Sequence, residues 1–462
     1  MKMISGLDGV FLHLETPAMP MHVGSLSLVA PPPRPRRRFL DDVRRLYARR
    51  LPLAPVLSRR LHEFPLGLAN PVWVQAPEVD LEYHIRGVTL PRPGTREQLE
   101  ACVAELHSVQ LDRRYPLWSV HVIEGLRDGR IGFYTNIHHA VVDGQAGVEL
   151  MRAVFDLTPY ARRPRAPATR RPGARGSPWA GAVIARTVQH DLGQYWRLLQ
   201  TMPDRARSLA STDGGGEAGH PRTPTFGPRT PLNVAIDGTR GFATASMRLS
   251  AVHEVAAAHH ATMNDVVLAV CAGAMRRYLG RHGGVPPEPL LAGMPVSLRL
   301  PGKVEFTTLA TMVRISLGTD IVDPVRRLHA IHAASAVAKA EVAKTRSFAT
   351  TDFPTLGVAS LLHGLSSLYG QPIVANRVPP IVNLVVSNVP GPPQPLYLAG
   401  ARVLHHWPIS IVGHGLGLNI TVESYADSLE FGVTTAAAAV ARPRAIADGL
   451  LAAFEQLRKR SC

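Results

Sequence analysis

Apolar and polar residues alternate along four segments of the chain, and these segments form two pairs. Residues 119–126 and 131–138 alternate on either side of Asp128-Gly129, a dipeptide typical of tight hairpin turns. In the second half of the chain, residues 416–424 and 429–434 alternate in the same way. The pattern therefore predicts an antiparallel hairpin of strands in each half.

Segments with a helical period lie beside these hairpins. Residues 144–157 carry apolar side chains at helical spacing, and Thr262 with Asp265 resembles a capping box that opens a helix to about Leu279. The chain ends in an amphipathic helix, whose apolar face consists of Ile446, Leu450, Phe454 and Leu457. Helices and strands are mixed in both halves, so we expect the α/β fold class.

A long irregular segment separates the two halves. Residues 159–231 are rich in Arg, Pro and Gly, and within them only residues 179–209 have the composition of one or two helices. Segments of this length without regular structure are uncommon inside a compact domain, so we interpret this one as a linker. The predicted organisation is one lobe over residues 1–158, the linker over 159–231 and a second lobe over 232–462.

The composition is that of a globular protein, with 462 residues, of which 45% are hydrophobic and 19% charged. Its three cysteines, Cys102, Cys271 and Cys462, are far apart, which argues against a disulfide framework and favours a reducing cytosolic setting. The N-terminus has no apolar core of a signal peptide, and every apolar run of about 18 residues is interrupted by a charge, Pro or Gly. We therefore expect neither a secretion signal nor a membrane-spanning helix.

The net charge is +16, from 51 basic and 35 acidic residues. Such an excess favours an anionic partner, which could be nucleic acid, an acidic membrane surface or a phosphorylated small molecule. The basic stretches at residues 34–38, 44–45, 49–50 and 162–175 are candidates for contact with membrane phosphates. A genome that favours Arg explains much of the same composition without any partner, and the charge alone does not decide between these interpretations.

One short run has the pattern of a catalytic site. The predicted strand at residues 131–138 leads into His138-His139, which is followed by Asp143 and Gly144. Because strand side chains alternate, we expect His139 to continue the face of the alternate residues before it and His138 to point to the opposite face. The two histidines are therefore expected to have different roles.

An imidazole at the end of a strand suits a general base. An alcohol becomes a strong nucleophile only when its proton is removed, and histidine can accept that proton near neutral pH, with a gain of ~10²–10⁴ in rate. We therefore predict that His139 is a general base. Asp143 would cap the following helix or pair with an arginine, and Gly144 would let the backbone turn closely. Adjacent strand histidines point apart and have no third ligand nearby, so we expect no metal site.

The run His138-His139-x-x-x-Asp143-Gly144 resembles the motif of acyl-CoA-dependent acyltransferases with a chloramphenicol-acetyltransferase-like fold, a superfamily that includes peptide-synthetase condensation domains. Further segments are similar, in the same order, to bacterial wax ester synthase/diacylglycerol acyltransferases. These segments are residues 7–15, 20–24, 80–86, 115–118, 264–269, 295–299, 387–392 and 417–420. The resemblance covers nearly the whole chain outside the linker, and the ordered set makes it specific.

The resemblance implies two chloramphenicol-acetyltransferase-like lobes with mixed sheets and an active site at the lobe interface. His139 would take the proton of the acceptor hydroxyl, and the alkoxide would attack the acyl-CoA thioester. His138 and Asp143 would shape the loop, with Asp143 in an ion pair for which Arg299 is one candidate partner. Asn264 would either polarise the thioester carbonyl or be simply a polar residue in the first turn of a helix.

Substrates and location also follow from the resemblance. It implies acyl-CoA as co-substrate, no cofactor, and diacylglycerol or a long-chain alcohol as acceptor, so that triacylglycerol or wax ester is formed. We expect a cytoplasmic protein that associates peripherally with the inner face of the plasma membrane or with lipid inclusions, and no nucleic-acid partner. Leu7, Asp8 and Glu15 are expected to order the N-terminal segment.

Two segments depart from the pattern of the family. Residues 433–439 contain no acidic residue where the family usually carries one, and His405-His406-Trp407 stands where a Tyr-Pro is more usual. We expect both departures to bear on the acceptor pocket rather than on the base.

Two alternatives remain at this point. One stays inside the fold and is a condensation-type or polyketide-tailoring acyltransferase that takes its acyl group from a carrier protein. The other is a non-catalytic basic protein that binds lipid or nucleic acid. The aromatic content of 6% and the absence of a known nucleic-acid-binding motif argue against nucleic acid.

Overall fold

The computed structural model of the chain describes residues 2–4, 6–31, 39–63, 71–141, 150–151, 153–160, 224–297, 310–345, 371 and 377–461. The strands in this part of the chain form one three-stranded sheet and two six-stranded sheets. The strands are β1 Lys2–Met3, β2 His22–Val29, β3 Arg59–His62, β4 Val72–Gln75, β5 Ile85–Thr89, β6 Trp118–Glu124, β7 Ile131–His138, β8 Arg240–Arg248, β9 Leu291–Ser297, β10 Ala310–Ser316, β11 Leu384–Val389, β12 Tyr397–Leu398, β13 Ala401–Ile409, β14 Leu418–Tyr425 and β15 Ser428–Ala436. The helices are α1 Gly6–Leu14, α2 Phe39–Arg50, α3 Leu81–His84, α4 Arg96–Ser108, α5 Leu249–Ala258, α6 Met263–Leu279, α7 Pro324–Thr345 and α8 Pro443–Arg458.

The first large sheet has the strand order β12-β13-β2-β7-β6-β5. Strands β6 and β7 pair antiparallel, and Gly129 between them has a φ of +73°, a left-handed conformation that favours glycine. This confirms the first predicted hairpin. Strand β5 pairs parallel to β6, so the sheet is mixed.

The first large sheet also contains strands from the second half of the chain. Strand β13 pairs antiparallel with β2, with Trp407 opposite Leu26, and β12 extends the sheet beyond β13. Residues 397–409 of the predicted second lobe, residues 232–462, therefore complete the sheet of the first lobe, while the other strands of that half form a separate sheet. Alternation along β13 indicates a strand but does not specify its partner.

The second large sheet has the strand order β10-β9-β11-β14-β15-β8. Strands β14 and β15 form the second predicted hairpin, and β11 pairs parallel to both β14 and β9, so this sheet is also mixed. Helix α6 begins with the predicted capping box, in which Thr262 and Asp265 exchange hydrogen bonds, and it ends at Leu279 as predicted. The predicted apolar face of α8 is buried against α6 and this sheet.

The two lobes contact each other through α4 and β13. Leu26 and Tyr134 of the first sheet share an apolar cluster with Phe242 of the second. At Gly432 the carbonyl oxygen of Pro408 lies 1.6 Å from the point that a Cβ would occupy, so a side chain there would separate the two sheets. The prediction of two packed lobes with mixed sheets is thus confirmed.

None of the described helices is, by itself, both long and apolar enough to cross a membrane. Helices α5 and α6 pass that test only as a pair, and they are bent by 97° relative to each other.

Candidate active site

The predicted catalytic run lies at the point where β7 ends. The strand ends at His138, and His139 begins a short 3-10 helix over His139–Val141. The His139 N–H donates a hydrogen bond to the Met21 carbonyl oxygen at 2.8 Å, which fixes the backbone of this turn against the residue before β2. Because His139 is outside the strand, strand alternation does not determine where its side chain points. The predicted alternation of side chains therefore applies only as far as His138.

The His139 ring packs on α1. It stacks on Phe11 with ring centroids 3.9 Å apart and an angle of 22° between the planes. Its Nδ1 atom is buried and has no hydrogen-bond partner among the described residues. Burial and, to a smaller extent, the neighbouring His138 lower the pKa of His139 to about 4. The imidazole is therefore neutral near pH 7, which is the state that a general base requires.

His138 has a different environment, in agreement with the expectation that the two histidines differ in role. Its side chain is fully buried, and its Nδ1 accepts a hydrogen bond from the Ala140 N–H at 3.1 Å. This contact assigns the ring hydrogen to Nε2, which lies 3.4 Å from Glu15 Oε1. His138 thus connects the turn that carries His139 to a buried carboxylate.

Glu15 is the centre of this arrangement. Its side chain is 3% exposed, and its Oε2 accepts from Arg113 Nη2 at 3.0 Å, while its Oε1 lies 3.3 Å from the Met21 N–H. Burial raises the pKa of this carboxyl, but His138 and Arg113 outweigh burial and bring it down to about 2. Glu15 is therefore ionised near neutral pH.

Helix α1 and the residue after it support the turn at two points. Phe11 and Glu15 are four residues apart, a spacing that places side chains on one face of a helix. Phe11 contacts the His139 ring and Glu15 faces the His138 ring. The sequence predicted for Glu15 only a role in ordering the N-terminal segment. Its spacing of four residues from Phe11 is the feature of the sequence that indicates a common helical face.

Comparison with known proteins identifies the family. Residues 4–267 match the family described as the wax ester synthase/diacylglycerol acyltransferase catalytic domain, and residues 309–458 match the WS/DGAT C-terminal domain. A relative from Mycobacterium tuberculosis, provisionally named a diacylglycerol O-acyltransferase, is 35% identical over 460 residues, with 99% of each chain covered. The chain belongs to the wax ester synthase/diacylglycerol acyltransferase family. The predicted family and the prediction of an acyltransferase are thereby confirmed.

Two solved structures are similar to this acyltransferase over nearly their whole length. The wax ester synthase/diacylglycerol acyltransferase from Marinobacter aquaeolei VT8 superposes with a TM-score of 0.71 at 29% identity, with 100% of both chains covered. The first condensation domain of the calcium-dependent antibiotic synthetase superposes with a TM-score of 0.58 at 16% identity, over 100% of this chain and 96% of that one. The second likeness is one of fold alone.

Asn264, the candidate from the second lobe of the acyltransferase, lies in the first turn of α6. Its Oδ1 accepts from Asn388 Nδ2 at 3.4 Å, and its Nδ2 lies 3.6 Å from Met294 Sδ. The helix cap is made by Thr262 and Asp265 without Asn264. The Asn264 amide thus takes no part in the helix cap, and no hydrogen bond between described residues connects it to His139.

Three further predicted site residues, Asp143, Gly144 and Arg299, lie outside the described residues. Their roles in the acyltransferase, including the ion pair between Asp143 and Arg299, stay predictions.

The segment His405-His406-Trp407, one of the two that depart from the family pattern, lies where the two large sheets meet. His405 on β13 stacks on Trp407, and its Nδ1 lies 2.9 Å from Oε1 of Glu430 on β15. Glu430 is fully buried and lies directly opposite Glu423 in the ladder of β14 and β15. Burial and, to a smaller extent, the neighbouring Glu430 raise the pKa of Glu423 to about 8.

The basic stretches behave differently from one another. Residues 34–38 and 162–175 lie outside the described residues. Within 44–45 and 49–50, Arg50 is buried in an ion pair with Asp156 at 2.6 Å, so its candidacy for membrane contact is wrong. Arg44 donates to the Ile85 carbonyl oxygen, which leaves Arg45 and Arg49 as the exposed arginines of these two stretches.

Proposed function

We propose that this acyltransferase moves a long-chain acyl group from acyl-CoA to the hydroxyl of diacylglycerol or of a fatty alcohol, with His139 as general base. The observation that carries the proposal is the neutral, partly exposed His139 ring, held by Phe11 on a turn that His138 and Glu15 support. The names of the relatives, diacylglycerol O-acyltransferase and wax ester synthase, support the two acceptor classes.

The reaction follows from the chemistry of a neutral imidazole. His139 takes the hydroxyl proton as the acceptor oxygen attacks the thioester carbonyl, and a tetrahedral intermediate forms. The C–S bond then breaks, the acyl group stays on the acceptor oxygen, and the imidazolium returns its proton to the CoA thiolate. Removal of the hydroxyl proton in this way accounts for roughly 10²–10⁴ of the rate.

The other predicted residues act on this step indirectly. His138 and Glu15 orient the turn, and we propose that Asp143 and Arg299 form an ion pair that holds the loop after it. We propose that Asn264 directs its amide at the thioester oxygen, where charge develops in the intermediate.

An acceptor screen tests the function. Labelled palmitoyl-CoA is incubated with the protein and either hexadecanol or diacylglycerol, without a carrier protein, and labelled ester is measured. We expect ester from at least one acceptor, with release of an equal amount of free CoA thiol. Absence of ester with both acceptors would contradict the proposal, and transfer that needs a carrier-bound acyl group would favour the condensation-type alternative, which shares the fold.

The substrates also support a location. Both acceptors partition into lipid, and the net charge of +16 favours an anionic surface. We therefore propose peripheral association with the inner face of the plasma membrane or with lipid inclusions, in the cytoplasm, without cofactor and without nucleic acid. Fractionation of cells by flotation, with and without high salt, tests this location.

A further inference from the structure

Exposed apolar side chains gather at one edge of the second large sheet. Phe226 is 51% exposed, Met312 55%, Val378 40% and Ile381 61%. We call these four residues the edge patch. Other exposed large apolar residues of the described chain, such as Val109 after α4 and Leu451 on α8, lie on other elements.

Two hydrogen bonds bring the chain segments of the edge patch together. Met312 lies on β10, which ends the sheet, and Arg314 on the same strand donates to the Thr225 carbonyl oxygen at 2.5 Å. This contact places Phe226 beside β10. The Gly227 N–H donates to the Pro380 carbonyl oxygen at 2.7 Å, which places Ile381 next to Phe226. Phe226, Met312 and Ile381 therefore come from three segments of the chain that meet at this edge, and Val378 lies three residues before Ile381 in the third segment.

Positive charge borders the edge patch. Arg377 precedes Val378 and is exposed, Arg229 lies three residues after Phe226 and is exposed, and Arg314 lies on the patch strand itself. An apolar surface with an arginine border matches the boundary between the acyl chains and the phosphates of an anionic lipid layer.

The edge patch is large enough for contact with a lipid layer. The four side chains expose on the order of 400 Å², about half of the roughly 800 Å² that one partner buries in a standard protein–protein interface. A lipid layer needs no such area, since each apolar group that enters it contributes separately.

We propose that the edge patch is the surface by which this acyltransferase docks on an anionic lipid layer, so that β10 and the turn before Gly227 face the phase that holds the acceptor. This rests on the proposed function for the nature of the acceptor. The patch lies in the second lobe, and none of its residues belongs to the catalytic turn.

Vesicle binding by the full chain tests the docking surface. Partition is measured by co-sedimentation on phosphatidylcholine vesicles with and without phosphatidylglycerol. Phe226→Ser should weaken partition about tenfold on both, because roughly half of an exposed area on the order of 100 Å² would enter the lipid. Arg377→Ser should weaken it about fivefold on the anionic vesicles only.

Val109→Ser is the matched control for Ile381→Ser, because Val109 is 63% exposed and Ile381 61%. The control should partition like the parent chain, while Ile381→Ser should be about tenfold weaker. Unfolding midpoints of all variants check that they fold, since the substituted side chains are exposed.

Three outcomes are informative. Equal partition of the parent and of both apolar patch variants would overturn the proposal. A dimer of the parent in sedimentation equilibrium that Phe226→Ser dissociates would also overturn it, because the patch would then cover a second copy of the chain. Patch-dependent vesicle binding by a chain that transfers no acyl group to detergent-dispersed acceptors would support the docking surface and contradict the proposed function, so the two failures are distinguishable.

Discussion

Substitution of Glu15 by Gln tests the support of the catalytic turn. The ordinary pKa of 4.5 and the value of about 2 in the folded chain differ by an amount equivalent to about 3 kcal/mol of stabilisation near neutral pH. Arg113 keeps Glu63 at 3.0 Å and the Leu12 carbonyl oxygen at 2.7 Å after the substitution. Because the guanidinium is not left without partners, we expect Glu15→Gln to cost about 2–3 kcal/mol of unfolding free energy rather than more.

The contribution of Glu15 to stability depends on pH. The pKa of Glu15 is lower in the folded chain than in the unfolded one, so its contribution is present above pH 4.5 and is lost as the pH falls toward 2. Urea unfolding of the parent and of Glu15→Gln is measured at about pH 7 and about pH 3.5. The difference in unfolding free energy between the two proteins should be smaller at the lower pH by roughly 1 kcal/mol. Acyl transfer by the variant should also fall about tenfold, since His138 loses its charged partner.

Glu63→Gln is the matched control for this substitution. Glu63 binds the same Arg113, but its side chain is 54% exposed, so its loss should cost less than about 1 kcal/mol. A Glu15→Gln variant as stable as the Glu63→Gln variant, or a stability difference from the parent that does not change with pH, would refute this account of Glu15.

Three further predictions follow from the same contacts. Because burial lowers the pKa of His139 to about 4, kcat/KM should stay level from about pH 8 to about pH 5; an acid limb near pH 6.5 would contradict this. His22 and His406 are buried, and their pKa values are lowered to about 4. Each should therefore contribute up to about 3 kcal/mol to the free energy of unfolding above pH 6.5, and this contribution is lost as the pH falls toward 4. A free energy of unfolding that is the same at pH 6.5 and at pH 4 would contradict this prediction. Phe11→Ala should lower kcat about tenfold with little change in KM, whereas Phe11→Tyr should retain the stack and the rate; equal loss in both variants would point to a role other than stacking.

Local signals in the sequence gave good predictions of local structure. The dipeptide Asp128-Gly129 marked the first hairpin, and Thr262 with Asp265 marked the first residue of α6. Both signals depend on hydrogen bonds or dihedral angles within a few residues, so they can be identified without knowledge of the rest of the fold.

Long-range pairing was not predictable in the same way. Strand β13 joins the first lobe by pairing with β2, although its residues come from the second half of the chain. Alternation along a strand shows which residues share a face, but it does not specify the neighbouring strand. The contact of Glu15 with His138 is of the same kind, since it joins the end of α1 to the end of β7.

The strand-face argument for His139 failed for a local reason. It required β7 to continue through residue 139, whereas the His139 N–H bonds to Met21 and the chain enters a 3-10 turn. His139 still matches the family motif, because the motif is defined by spacing and not by a strand face.

The rate of acyl transfer by His139→Ala, at saturating palmitoyl-CoA and acceptor, tests the central claim most directly. The unfolding midpoint of the variant is measured alongside, with His282→Ala, an exposed histidine of the second lobe, as control. The account predicts a fall of about a hundredfold or more in the rate of a folded His139→Ala variant, with His282→Ala close to the parent. A folded His139→Ala variant that transfers acyl groups at the parental rate would contradict it.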